Sequence, residues 1–286
     1  MDNFLEHITS AHRLPSERDQ NFLLIDDSGQ QFVLKIANTA ESRSFLEAQN
    51  AVLNYLSARV PFCQRVIGDI AEFEGRFVRV VTYLPGVPLA EIKPHTPGLL
   101  QDLGQKLGQL SHALAGFDHP AAHRDFYWDL ANGNRIVNKY APLIENTDLP
   151  ELVLKCRYEP PTELRRSVIH GDANDYNVLV DPDTLTVSGL IDFGDMVYSY
   201  TVGDLAIAVA YVVLGEGDPR DVIAGYESEF GLPEKERDAL WPLVRLRLAM
   251  SVCIAAHQQR QQPENEYLGI SQKAIEKTLP RIFTDE

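Results

Sequence analysis

The pattern of apolar and polar positions over the first third of the chain reads as strands with one helix between them. N-F-L-L-I, the turn D-D-S-G-Q and Q-F-V-L-K-I predict a hairpin over 21–36. The period then changes. Phe45, Leu46, Val52, Leu53 and Leu56 recur near the helical repeat, so 41–60 is expected to be a helix stopped by Pro61. V-I-G-D-I-A-E-F-E-G-R-F-V-R-V-V-T-Y-L predicts two more strands around Glu74-Gly75, and Leu84-Pro85-Gly86 breaks the pattern. From about Gly98 the amphipathic repeat L-L-Q-D-L-G-Q-K-L-G-Q-L-S-H-A-L is helical, and the remainder is helix-rich apart from 168–195. The pattern predicts an α+β protein with two lobes: a small β-rich N-terminal lobe, 1–84, and a larger helical one, 85–286. A cleft between lobes is where a ligand is expected.

Composition narrows the partners. Lys and Arg number 26 against 41 Asp and Glu, a net charge of −15, and no basic stripe offers nucleic acid a path. A small anion such as ATP stays open, because magnesium and a few local cations neutralise it. Cys63, Cys156 and Cys253 lie far apart, the spacing of reduced or buried thiols rather than of a disulfide framework or a zinc site. The most apolar run, L-A-I-A-V-A-Y-V-V-L at 205–214, falls short of the ~20 residues a membrane span needs and is expected to be a buried helix. M-D-N-F-L-E-H shows no signal-peptide pattern. The expected location is the cytoplasm, with no membrane partner.

The segment 168–195, V-I-H-G-D-A-N-D-Y-N-V-L-V-D-P-D-T-L-T-V-S-G-L-I-D-F-G-D, concentrates aspartates and asparagines among strand-formers. If 177–181 pairs with 188–192 around the connection 182–187, Asn177 stands opposite Asp192, their Cβ atoms ~5 Å apart. An amide oxygen and a carboxylate meeting there suit Mg2+, a hard cation that completes its shell with phosphate and water. Asp172 lies five residues before Asn177, in the loop feeding the first strand. Singly, each residue reads as a cap or turn former, as Asp181-Pro182-Asp183 does. Together, H-G-D-x-x-x-x-N followed by I-D-F-G-D is a specific spacing.

These motifs resemble the protein-kinase pattern H-R-D-x-x-x-x-N plus D-F-G, with Gly171 in place of the arginine. The H-G-D form is similar to the aminoglycoside phosphotransferase and choline kinase group of small-molecule kinases, across essentially the whole chain. The resemblance implies a protein-kinase-like fold and ATP-dependent phosphorylation of a hydroxyl. It makes Asp172 the catalytic carboxylate and Asn177 and Asp192 the magnesium ligands. It implies that Lys35, in V-L-K-I, contacts the α- and β-phosphates and pairs with a helix glutamate, for which Glu47 is the best candidate. No G-x-G-x-x-G is present. Ser16 and Arg18, in L-P-S-E-R-D-Q-N-F, are the phosphate-loop candidates, an ordinary polar turn being the other reading. Adenine is expected against main-chain groups near Thr82 and Leu84. Asp204, in V-G-D-L-A, reads as a helix cap or a brace for the catalytic loop rather than a catalyst.

On the acceptor side, H-R-D-F-Y-W-D-L-A-N-G offers Trp128 and Asp129 for an amine, through cation–π contact and charge. Equally, W-D-L opens a helix with Trp128 in the core. Asp195 and Tyr198 are further candidates to face the acceptor. S-E-R-D-Q-N-F, H-R-D-F-Y-W-D-L and D-M-V-Y-S-Y-T-V-G-D-L-A look most like the hydroxylysine-kinase branch. That resemblance implies a hydroxyl-bearing acceptor with an amine: a hydroxylysine-like amino acid, an amino alcohol or an aminoglycoside. It also implies a stand-alone relative or a domain fused to, or associated with, an aminotransferase-like domain. A nucleotide-binding pseudokinase or regulatory domain is the alternative reading.

Overall fold

Alternating apolar strands need a covered face, and here they form one antiparallel sheet. The computed structural model describes residues 6–16, 18–145, 148–261 and 272–283. The sheet runs β1-β2-β3-β5-β4, from β1 Ile8–Leu14, β2 Gln20–Asp26, β3 Gln31–Ile36, β4 Val66–Phe73 and β5 Arg76–Thr82. The predicted hairpin is β2–β3, with Asn21 facing Lys35 and Leu24 facing Phe32. Its turn is closed by Asp26, whose carboxylate accepts the Ser28 and Gln30 backbone N–H groups. Helix α1, Arg43–Leu56, is shorter than its periodicity suggests because Ser42 caps it, accepting from the Phe45 N–H. Its buried side carries Phe45, Leu46, Ala48, Gln49, Val52, Leu53 and Leu56.

Beyond Thr82 the short β6, Val87–Pro88, joins β8, Val178–Asp181, and β9, Thr186–Leu190, while β7, Arg166–Ile169, pairs with β10, Val197–Tyr200. Around them pack α2 Pro97–Leu114, α3 Gly133–Tyr140, α4 Leu149–Lys155, α5 Gly203–Leu214, α6 Pro219–Glu229, α7 Glu234–Gln261 and α8 Gln272–Ile282. Helices α2 and α6 touch backbone to backbone. A Cβ on Gly104 would lie 2.0 Å from the Val222 carbonyl oxygen, and one on Gly225 2.1 Å from that of Gln101.

The apolar run at 205–214 forms α5, buried almost throughout. Its sequence hides a longer apolar helix further on. By length and composition α7 could cross a membrane, yet 72% of its most apolar window is buried inside the molecule, which makes it a core helix. A single large apolar cluster links α1, α2, α5 and α7 beneath the β7–β10 region.

Candidate active site

The predicted hairpin forms from β8 and β9, but in another register. Val178 faces Leu190 and Leu179 faces Gly189; after a bulge Val180 faces Val187 and Asp181 faces Thr186. The Ile191 N–H donates to the Asn177 carbonyl at 3.0 Å, so Asp192 lies one residue beyond the position opposite Asn177. The connection causes the difference. It is shorter than the expected six residues, because the Asp181 carboxylate caps it by accepting from the Asp183 and Thr184 N–H groups. At Asp192 the backbone turns left-handed, φ 67° and ψ 77°. That turn aims the carboxylate at Lys35 Nζ, 3.0 Å away, and at the Gly194 N–H, 3.2 Å away.

The loop after β7 is pinned from below. Asp204, at the start of α5, accepts the His170 N–H at 2.9 Å and the Gly171 N–H at 2.8 Å. His170 Nε2 lies 3.0 Å from the Ile191 carbonyl oxygen. Gly171 has φ +81°, and a Cβ there would sit 2.3 Å from the Asp195 carbonyl oxygen. This is the physical reason the motif reads H-G-D: neither the backbone nor the space admits a side chain.

Asp172 follows. Its Oδ1 accepts from Arg247 Nη2 at 2.7 Å, and its Oδ2 accepts from the Asn174 and Asn177 amides, each at 2.9 Å. Asn177 Nδ2 also donates to the Asp172 carbonyl at 2.9 Å. With that nitrogen spent, the Asn177 Oδ1 is left as the open metal-binding atom of the side chain. One amide oxygen and the Asp192 carboxylate fit Mg2+, which takes few protein ligands and leaves the rest to phosphate and water. Among the described residues no group of three or more His, Cys, Asp and Glu forms a larger cage.

Cations surround these carboxylates. Lys35 is buried on β3 and faces Arg79 across the sheet. Arg79, buried as well, bonds Gln49 and Asn50 of α1. Glu47 is not the Lys35 partner: it is exposed and pairs with Arg43 at 2.9 Å, because the inward-facing position of this turn is Gln49. Arg18, from the β1–β2 loop, bonds the buried Asp195. Ser16 in the same loop is exposed. Arg124 donates to the Gly194 and Met196 carbonyls and stacks 3.7 Å from the Phe45 ring centre.

The electrostatics follow from these neighbours. The Lys35 ammonium holds Asp192 well below the usual carboxylate range. Burial, and then the nearby Asp172 charge, push Asp195 upward. Burial lowers Arg79, and lowers Arg124 to about 10. Of the main-chain groups expected to meet adenine, those of Thr82 are engaged: its carbonyl accepts from Gln64 and its N–H donates to the Arg65 carbonyl. Leu84 lies against Gly189, beside the hairpin.

The phosphotransferase enzyme family model matches residues 10–241. The chain belongs to this family. A hydroxylysine kinase of Danio rerio is 34% identical to this phosphotransferase, over 94% of its length and 85% of the relative's. A homoserine kinase of Xanthobacter autotrophicus is 26% identical, over 83% and 77%. Among solved structures, the amicoumacin kinase hAmiN, in complex with AMP-PNP, Ca2+ and Ami, superposes with a TM-score of 0.72 at 15% identity, covering 95% of this chain and 88% of that one. The family and these likenesses identify an ATP-dependent small-molecule kinase of α+β, protein-kinase-like fold.

On the acceptor side the geometry follows the alternative reading of W-D-L, a helix start with Trp128 packed on the core. Trp128 already carries a cation, the Arg247 guanidinium, 4.4 Å from its ring centre. Asp129 is buried and spent, accepting from the Ser199 hydroxyl and the Ala131 N–H to cap a short turn. Tyr198 stacks on His123 with ring centres 4.2 Å apart. Tyr198 and Asp129 line an open pocket of about 530 Å3 with Arg124, Arg135 and Arg166, and Asp172 is not in its lining. Asp195 is held by Arg18.

Four residues near the trio escaped the sequence reading: Arg79, Arg124, Asp175 and Arg247. Asp175 is part-buried, and burial pushes its carboxyl up to about 6. Its carbonyl accepts from the Ala90 N–H; although the Lys93 charge acts on its side chain, among the described residues that side chain makes no hydrogen bond or close ion pair to another residue. Every other buried or part-buried carboxylate between Val168 and Asp204 has one. The available signal was an aspartate unassigned to any turn or motif, three residues after Asp172.

Proposed function

We propose that this kinase transfers the γ-phosphoryl group of ATP to a hydroxyl of a small amine-bearing metabolite, with hydroxylated amino acids as the leading acceptors. The observation that carries the reading is Asp172, held at both oxygens yet still partly open to solvent, beside Asn177 and the Asp192–Lys35 pair. In this reading 1–84 holds the nucleotide and 85–286 the acceptor. Leu84 offers main-chain groups to adenine. Lys35 and Arg18 hold the phosphates, and Arg79 adds a buried positive charge behind Lys35.

Asn177 and Asp192 would hold Mg2+, which when bound neutralises charge on the phosphates. Asp172 orients the acceptor hydroxyl and takes its proton. The acceptor oxygen bonds the γ-phosphorus as the bond to the β–γ bridging oxygen breaks, leaving ADP. The rate comes mainly from positioning and charge stabilisation.

The names of two relatives, hydroxylysine kinase and homoserine kinase, each denote an acceptor with a hydroxyl and an amine. The Asp175 carboxylate, on which Lys93 acts without forming a close ion pair, is the group available to an ammonium. It replaces Trp128 and Asp129 in that role. The test is a purified-protein screen of hydroxyamino acids, amino alcohols, aminoglycosides and neutral sugars with Mg-ATP. Acceptor-dependent ADP release confined to amine-bearing alcohols is expected; stimulation by neutral sugars alone would overturn the acceptor class.

A further inference from the structure

Arg247 sits within the apolar run of α7, 2% exposed. Its Nη2 meets Asp172 Oδ1 at 2.7 Å, whereas Nε and Nη1 are buried and form no hydrogen bond of normal geometry among the described residues, Tyr211 being a further side chain that interacts with the guanidinium. The flat guanidinium lies 4.4 Å from the Trp128 ring centre and 5.8 Å from that of Tyr211.

This is a poor way to stabilise a core. A guanidinium taken out of water with two nitrogens lacking a hydrogen bond of normal geometry counts against folding, and an apolar side chain of similar length would fill the same space without that cost. Asp172 does not need the cation for solvation, since its side chain is 19% exposed and two amides bond its other oxygen. The arrangement makes sense as a device for orientation. A fork held flat by Trp128 grips one carboxylate oxygen from the interior side, while the loop amides grip the other. The carboxylate cannot rotate, and its open edge faces the acceptor.

We propose that Arg247 is the positioning residue of the catalytic carboxylate, clamped by Trp128, so that α7 sets the aim of Asp172. The proposal rests on the reading of Asp172 given above. It also gives the W-D-L motif a role: Trp128 supports the reaction through Arg247 and leaves the acceptor's amine to other groups.

The test compares Arg247→Met, Arg247→Lys and Asp172→Asn with the wild type. The readouts are ADP release with and without acceptor, KM for both substrates, and thermal melts with and without Mg-ATP. Misaim of a reacting group by about 1 Å costs about 100-fold. The Met variant is therefore expected to lose about 100-fold in kcat, with both KM values within about threefold of wild type, because orientation and not binding is removed. Its melting temperature is expected to stay level or rise, and its Mg-ATP shift to persist. Arg247→Lys keeps one charged donor and is expected to regain about tenfold of the lost kcat, since one of the fork's contacts survives. It also covers a Met variant that fails to fold.

Unchanged kcat in the Met variant, a loss wholly in KM, or equal kcat in the Met and Lys variants would overturn the proposal. So would a fall in melting temperature with full turnover in the folded fraction. The underlying reading fails separately: if Asp172→Asn turns over normally, Asp172 is not the catalytic carboxylate. If Asp172→Asn is dead while Arg247→Met is active, only the role of Arg247 is lost.

Discussion

At Gly171 one missing side chain determines the shape of the loop that carries Asp172. Its positive φ and the Asp195 carbonyl at 2.3 Å from a hypothetical Cβ leave room for glycine alone. Gly171→Ala is expected to lower the melting temperature and to cut ADP release at least tenfold, roughly the effect of a 1.4 kcal/mol displacement of the loop that carries Asp172. A neutral outcome in both assays would mean the loop tolerates the shift. Asp175→Asn should act differently. It is expected to raise KM for an amine-bearing acceptor by about tenfold while leaving KM for Mg-ATP unchanged, the signature of a lost exposed-side charge contact. Much of this scale was readable in advance, because Asp172, Asn177 and Asp192 stand close in sequence and share one spacing. The Lys35 partner was not: it is Asp192 rather than Glu47, since the phase of α1 turns Gln49 inward and Glu47 out. Arg247 lies 75 residues from Asp172, and its only signal is a charge followed by L-A-M-S-V-C-I-A-A.

Among the elements, the β8–β9 hairpin shows where pattern reasoning stops. The run of strand-formers located both strands. The register depended on a cap at Asp181 and a bulge, neither of which leaves a periodic trace. Helix packing carries a similar lesson. Within a helix, Gly→Ala ordinarily stabilises by about 1 kcal/mol. Gly104→Ala in α2 is expected to do the opposite and lower the melting temperature by several degrees, because the new methyl group meets the α6 backbone at 2.0 Å. A higher melting temperature would show that α2 and α6 separate without penalty. That contact was invisible in the sequence: L-G-Q-K-L-G reads as an ordinary amphipathic repeat until its partner helix is known.

The whole molecule is strongly acidic, with a net charge of −15, yet Lys35, Arg18, Arg79, Arg124 and Arg247 gather around Asp172, Asp192 and Asp195. An anionic nucleotide is therefore expected to be drawn to this place on an otherwise acidic surface. The three thiols belong to the interior. Burial pushes Cys63 upward and Cys156 and Cys253 to about 12, so the native protein is expected to resist iodoacetamide at pH 8 and to take three labels once unfolded. Rapid labelling of the native state would mean the core opens easily. The central claim is a carboxylate-directed phosphoryl transfer to an amine-bearing alcohol. The direct measurement follows ADP and phosphorylated acceptor together, for wild type and Asp172→Asn, with Mg-ATP and a panel led by hydroxylysine and homoserine. Stoichiometric phosphorylation of an amine-bearing alcohol by the wild type, abolished in Asp172→Asn while Mg-ATP still raises its melting temperature, is the predicted result. Mg-ATP binding with no acceptor phosphorylated, or undiminished turnover in Asp172→Asn, would contradict it.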